Sequence, residues 1–338
     1  MFLTKAPPLP QWPTGAVTGY ENAPGYNGTL TDGSAITVQS NTTYVGYVNL
    51  GNGNIGTESV PVQNVTCIGC CWPSTGPNAF AVLLYGRNLK FVNCTTQPGP
   101  FASWPPALKD SPVPQDAGYQ YGFCADGTQA QPGTLNTWCE GGLLLKNCDM
   151  WGFGNGGARL ANGSTQANPY LVDYNNFHNL RLNTSGLDHN DGIGAPGGGQ
   201  MAYLQLTRNA INALGDTNAI VWGSAANFLT NCLISGNLIG GFGFTVALHN
   251  EAGQLTNLTF TNNTYTTQWQ AAFGPLYDQT LLLSSGLTWK GNRWLVPPGA
   301  QWGHSQYSGY FWLPGYTSNA SPTFDELSHG LVGTSDFM

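Results

Sequence analysis

The chain has 338 residues and a formal net charge of -7, with Lys+Arg 10 against Asp+Glu 17 and only 8% charged residues. That balance excludes a nucleic-acid binder, which needs a basic stripe to displace phosphate counterions, and no basic amphipathic segment suits a membrane surface. An aromatic content of 12% excludes a disordered chain, while Gly 46 and Pro 22 point to a turn-rich all-β protein of short strands.

In chain order, residues 1–35 are rich in proline and glycine and read as an N-terminal arm or adaptor. The opening MFLTKAPPLPQWPTG lacks the apolar run of a secretory signal, and no later stretch is long enough to cross a bilayer. Neither secretion by that route nor membrane insertion is therefore expected. From 36 to 296 one pattern recurs: an Asn or Cys anchor, with apolar residues five and three positions before it and two after. It runs through Val65, Cys67, Cys70 and Trp72, then Leu89, Phe91 and Cys94 with Thr96 in the last place, then Leu143, Leu145, Cys148 and Met150. It continues through Tyr170, Val172, Asn175 and Phe177; Leu204, Leu206, Asn209 and Ile211; and Cys232, Ile234, Asn237 and Ile239. Leu258, Phe260, Asn263 and Tyr265 and then Leu287, Trp289, Asn292 and Trp294 complete it.

Successive anchors stand 24, 54, 27, 34, 28, 26 and 29 residues apart, and the 54 reads as two periods. A period in the middle twenties with strand-like alternation predicts a β-solenoid of about ten coils. The step of three into the anchor breaks the alternation and predicts a corner. Asparagine at such a corner tolerates a left-handed backbone and, stacked coil on coil, forms a hydrogen-bonded ladder. Between Cys94 and Cys148 the proline-rich segment predicts loops bulging from the coils. Residues 297–338, aromatic and irregular, predict a cap or tail over the open end.

Of the eight cysteines, Cys67, Cys70, Cys94, Cys148 and Cys232 fall on core positions and are expected as packed free thiols. Cys71, Cys124 and Cys139 do not, and a bridge between Cys124 and Cys139 is left open. The CIGCC run lacks a second Cys or His pair at metal spacing, so no zinc site is expected.

Several of these segments resemble a known group. The WPTGAVTG segment, His189, Asp191, Gly192 and Ile193, the Phe273-Gly274-Pro275 element, and Trp289, Gly291, Asn292 and Trp294 together are similar to right-handed parallel β-helix proteins of the pectate-lyase-like kind. Those proteins are encoded by actinobacteria and, as minor tail proteins or tail spikes, by their phages. The resemblance covers roughly residues 12 to 300. It implies an all-β, right-handed parallel β-helix with inserted loops, placed in the virion tail or, alternatively, outside the cell. It further implies other virion tail proteins and a host cell-surface glycan as partners and, by analogy with spikes, a homotrimer. A polysaccharide lyase or glycoside hydrolase, and a purely structural virion assembly protein, are the competing implications.

The stretch SGLDHNDGIGAPGGG places Asp188, His189 and Asp191 within four positions. As a catalytic set these would do acid/base work on a glycan, for which hydrolases need two carboxylates flanking the bond. As a polar turn they would cap backbone amides, with Asp-Gly making the bend; this second expectation is the stronger. Register places Asn218 and then Phe244 or Thr245 beside Asp191, with no second carboxylate stacked on it, although Asp216 lies near on the following coil. No cofactor is called for; Ca2+ held by Asp188 and Asp191 is the one ion the pattern would admit. His249, Glu251 and Asp278 read first as solvated turn residues and second as another polar patch on the same side, and Asp173 and His178 read as surface residues. Sugar rings stack on flat indoles, which singles out Trp104, Trp138 and Trp222, in or near loops, as candidate carbohydrate contacts.

Overall fold

The computed structural model describes residues 12–74, 80–99, 121–126, 138–161, 163–178, 180, 191–196, 201–213, 218–223, 229–241, 244–248, 255–266, 274–277, 286, 288–295 and 332–337. Within them the chain winds as a right-handed parallel β-helix. Each coil carries up to three short strands that pair in parallel with their equivalents one coil away. The first face holds the strand ahead of the anchor, as in Leu143–Lys146, Tyr170–Asp173 and Leu204–Thr207. The second holds the short strand after it, as in Asp149–Trp151 and Asn176–His178. The third holds Tyr121–Asp126, Gly156–Ala161, Asp191–Pro196 and Asn218–Gly223.

The apolar positions of the repeat become columns. Val65 pairs with Leu89, Leu89 with Leu143, Leu143 with Tyr170 and Tyr170 with Leu204, and each is buried. Phe91, Leu145, Val172 and Leu206 form the next inward column, and Trp72, Met150, Phe177 and Ile211 pack from the second face. One continuous core results, and in first-face strands such as Leu143–Lys146, Tyr170–Asp173 and Leu204–Thr207 alternate residues face inward.

Register corrects the spacing argument in one place. Leu89 pairs with Leu143 and Thr95 with Asp149, so Cys94 and Cys148 lie on adjacent coils. The 54-residue step is one coil enlarged by insertion, with Tyr121–Asp126 as its third-face strand. Below Cys70, Tyr44 pairs with Cys67, which adds a coil whose corner is Tyr47. Among the described residues the corners are therefore Tyr47, Cys70, Cys94, Cys148, Asn175, Asn209, Asn237, Asn263 and Asn292.

The left-handed residue at this corner is also displaced from the expected place. It is the residue before the anchor: Gly46, Gly69, Asn93, Asn147, Tyr174, Arg208, Gly236, Asn262 and Gly291 all have positive φ. The anchor itself turns inward and spends its amide on the ladder. Asn209 Oδ1 accepts from Asn175 N and Nδ2, each at 2.9 Å, while Asn209 Nδ2 donates to Val172 O at 2.9 Å. Asn237, Asn263 and Asn292 repeat the arrangement coil by coil.

All eight cysteines are buried free thiols, including Cys71, Cys124 and Cys139. Cys124 lies on the third face in register with Arg159, whereas Cys139 is in register with Gly86. Residues 12–23 lie lengthwise against the corner of the helix. Trp12 Nε1 donates to Gly236 O at 3.2 Å, Gly19 N to Asn147 O at 2.8 Å, and Asn93 Nδ2 to Asn22 O at 3.2 Å. At the other end Val332–Phe337 pairs antiparallel with Thr288–Leu295, placing a strand on the edge of the last coil.

Candidate functional site

Asp191 opens a third-face strand, in register with Gly156 on the coil before and Asn218 on the coil after. The column then passes to Phe244. The carboxylate is fully buried, its Oδ1 accepts from Asn218 Nδ2 at 2.9 Å, and Asp191 N donates to Asn155 O at 2.9 Å. Two glycines make room for this arrangement. A Cβ on Gly156 would meet Asp191 O and the Tyr121 ring, and one on Gly192 would meet Ile211 Cγ2 and Ala219 O. Gly192 in the Asp-Gly-Ile run is thus a site of close packing against the core, beyond the bend expected of it.

Tyr121 and Arg159 complete the cluster, and both escaped the sequence argument. Tyr121 pairs with Gly156, and the Arg159 guanidinium carbon lies 5.7 Å from the Tyr121 ring centroid. Burial, reinforced by the Asp191 carboxylate, holds the Tyr121 phenol protonated, and Arg159 opposes that shift. The signal was available: GGARLA aligns with DGIGAP once Gly156 is set against Asp191. The insertion around Tyr121 hid the other half. Chemically the set is a fixed acceptor, an amide, a phenol and a cation. Because the Asn218 N–H is aimed at Asp191 Oδ1, it competes with any cation for that oxygen.

Asp188, His189 and Trp104 lie outside the described residues, as do His249, Glu251 and Asp278. The structure places Trp138 at the start of a short strand in register with Tyr85, and Trp222 in register with Ala195 and Leu248 on the third face. These two tryptophans stand on the flanks of different coils, several levels apart.

A second polar cluster centres on Asp149, which is buried. Its Oδ1 accepts from Asn176 Nδ2 at 3.0 Å, from Thr18 Oγ1 of the arm at 3.2 Å, and contacts His178 Nε2 at 3.0 Å. His178, expected as a surface residue, is largely covered and tied to a buried carboxylate, and Trp151 packs beside it with ring centroids 6.5 Å apart. Asp173, the other expected surface residue, accepts from Arg208 Nε at 2.9 Å and from Thr207 Oγ1 at 2.8 Å. The signal for Asp149 was its place directly after an anchor, where Thr95 and Asn176 stand on the neighbouring coils.

Stacked parallel strands around one core, with polar clusters at the corners, define the class: a parallel β-helix with polar corners. The family model for a right handed beta helix region matches residues 134–274, which takes in Asp149, Arg159, Asp191 and Asn218. Comparisons with curated proteins and with solved structures give no match.

Proposed function

We propose that this protein is a virion tail component, a minor tail protein or spike, that meets the host cell envelope by binding carbohydrate. The observation that favours binding over cleavage is the state of Asp191. It is buried, its Oδ1 is engaged by Asn218, and the residues in register above and below it are an amide and a glycine. A glycoside hydrolase sets a second carboxylate roughly 5 to 9.5 Å away, across the scissile bond, and among the described residues none is in register with Asp191 on the neighbouring coils.

The virion part of the reading is supported by the likeness of WPTGAVTG and the Trp289–Trp294 segment to phage tail β-helices. It is supported also by the eight buried thiols. Disulfides accumulate in chains that fold in oxidising compartments, and eight buried thiols without a disulfide suit a chain that folds in a reducing cytosol and leaves by lysis. Other tail proteins, and a trimer of this chain, are the assembly partners of this reading. The lyase alternative draws on one observation, the Arg159 guanidinium over the ring of Tyr121, whose phenol also feels the Asp191 carboxylate.

Incubation with isolated actinobacterial cell wall tests these readings together, with Asp191→Asn in parallel. Co-sedimentation without released oligosaccharide is expected for both chains. Release that Asp191→Asn abolishes would make the protein an enzyme. Absence of any co-sedimentation would leave only a structural role in the virion.

A further inference from the structure

The turn between the strands Asn54–Ile55 and Val62–Ile68 stands out from the helix where the third face bends into the first. It is tightly closed: Thr57 N donates to Val60 O at 3.1 Å, and Val60 N donates to Thr57 O at 3.2 Å and to Thr57 Oγ1 at 3.0 Å. Its base is fixed by Gly56, which has φ 80 and backs onto the carbonyl of Tyr85 so closely that a Cβ has no room. Between this turn and the coil above lies an open cavity of about 390 Å³, lined by Asn54, Thr57, Glu58, Ser59 and Tyr85. That is at the small end of the range for ligand pockets, about 300 to 1,000 Å³, and suits one or two sugar rings.

We propose that this cavity holds a neutral pyranose ring of the host-surface glycan. The inference rests on the glycan-binding reading and assigns it a place. The lining offers what vicinal hydroxyls need, acceptors and donors together within one short turn. Thr57 Oγ1 and Ser59 Oγ lie 3.3 Å apart, and Asn54 sits beside them with one N–H already given to Asn52 O at 3.2 Å. Tyr85, buried to 3% exposure, forms a stiff wall, and burial keeps its phenol a neutral donor. Glu58 supplies a strong acceptor, which favours hydroxyl donors and repels the carboxylate of a uronate. Trp138, picked out from the sequence as a sugar contact, occupies the position in register with Tyr85 one coil on. The turn is exposed while its anchoring backbone is fixed, so the site is largely formed before the ligand arrives.

The test uses the full chain with two sets of probes. One is methyl glycosides of glucose, galactose, mannose and N-acetylglucosamine, with galacturonate as the anionic control. The other is the neutral oligosaccharide fraction released from isolated actinobacterial cell wall. Binding is read by saturation-transfer NMR and calorimetry. Ser59→Trp, on the exposed turn, fills the cavity, and Thr37→Trp, also exposed, is the control. The expected result is binding of at least one neutral probe, loss of it in Ser59→Trp, and roughly tenfold weakening in Glu58→Gln, the scale of one hydrogen bond to a charged group. Thr37→Trp should bind as the parent does, and thermal melting should show all variants folded. Binding that survives Ser59→Trp unchanged would overturn the cavity while leaving the glycan-binding reading in place. Preference for galacturonate would overturn the neutral-sugar assignment. No binding of any probe by the parent chain would overturn both.

Discussion

Between Asn175 and Asn292 every corner is closed by an amide, and between Cys70 and Cys148 by a thiol. Both side chains point into the same column and reach the same partner, the carbonyl three residues before the anchor of the preceding coil. Asn175 Nδ2 donates to Leu145 O at 2.9 Å, and Cys148 Sγ donates to Phe91 O at 3.5 Å. Cys94 Sγ does so to Cys67 O at 3.4 Å, and Cys70 Sγ more weakly to Tyr44 O at 3.9 Å. The difference lies in the other half of the bond set. Each asparagine also accepts the backbone N–H of the anchor below, as Asn175 Oδ1 accepts from Cys148 N at 2.8 Å. A thiol is a weak acceptor and a weak donor, so the cysteine corners lean on packing around Trp72, Phe91 and Phe123, whose rings meet edge to face. One corner geometry therefore tolerates two chemistries, one directional and one apolar.

Breaking the ladder in its middle should have the largest effect. Asn209→Ala removes two accepted and two donated hydrogen bonds and strands Val172 O and Asn175 N in the core. With a buried unsatisfied group costing about 1–3 kcal/mol, a loss near 4 kcal/mol is expected, read as a lowered urea midpoint. An effect below about 1 kcal/mol would mean that the ladder follows the corner without holding it.

How far the sequence revealed all this depended on whether a feature repeats. The anchors and inward columns were legible because each coil restates them, and the pairing of Asp191 with Asn218 followed from register alone. Features that occur once were not. The insertion after Cys94 has the length of an extra period, and only the pairing of Thr95 with Asp149 shows that it is not one. WPTGAVTG read as an arm, yet nothing in it announced that Thr18 would bond Asp149 or that Gly19 would press so close to Thr95 and Asp149 that no Cβ fits. Tyr121 reaches Asp191 only through coil stacking, which brings together residues 70 positions apart in the chain, and Arg159 joins them over the Tyr121 ring.

Alkali should separate the two halves of the helix, because asparagine does not titrate. Burial pushes the Cys139 thiol up to about 12 and holds Cys67 and Cys94 well above the usual thiol range. Cys70, lowered to about 4 by hydrogen bonds from Cys67 and Cys94, adds no further change above pH 8.5, and the asparagine-cornered coils carry Cys232 alone, also pushed up to about 12. The folded state keeps protons that the unfolded chain gives up near pH 8.5. This contribution is therefore fully present below that pH and lost as pH climbs toward 12. Urea midpoints should fall between pH 8 and 11, with hydrogen exchange rising first in the coils between Cys67 and Cys148. Uniform opening of the whole helix, or no fall at all, would count against thiol burial as the distinguishing property.

The smallest effect is also the sharpest comparison. Cys148 sits at the junction, with Asn175 accepting from its backbone and Cys94 below it. In Cys148→Asn the new Nδ2 would take over the bond to Phe91 O and face Asn175 Oδ1, while the new oxygen would turn toward the backbone N–H of Cys94, extending the ladder by one rung. The extra volume of an amide over a thiol costs something in a packed corner, typically about 1 kcal/mol or more, and the added hydrogen bonds return about 0.5–1.5 kcal/mol each. Cys148→Asn should therefore fall within about 1 kcal/mol of the parent in urea unfolding. Cys148→Ala, which loses the thiol and its contacts, should lose about 1–2 kcal/mol. If alanine is instead the better tolerated of the two, the lower corners are shaped for an apolar group, and the two halves of the helix share a backbone path without sharing a side-chain slot.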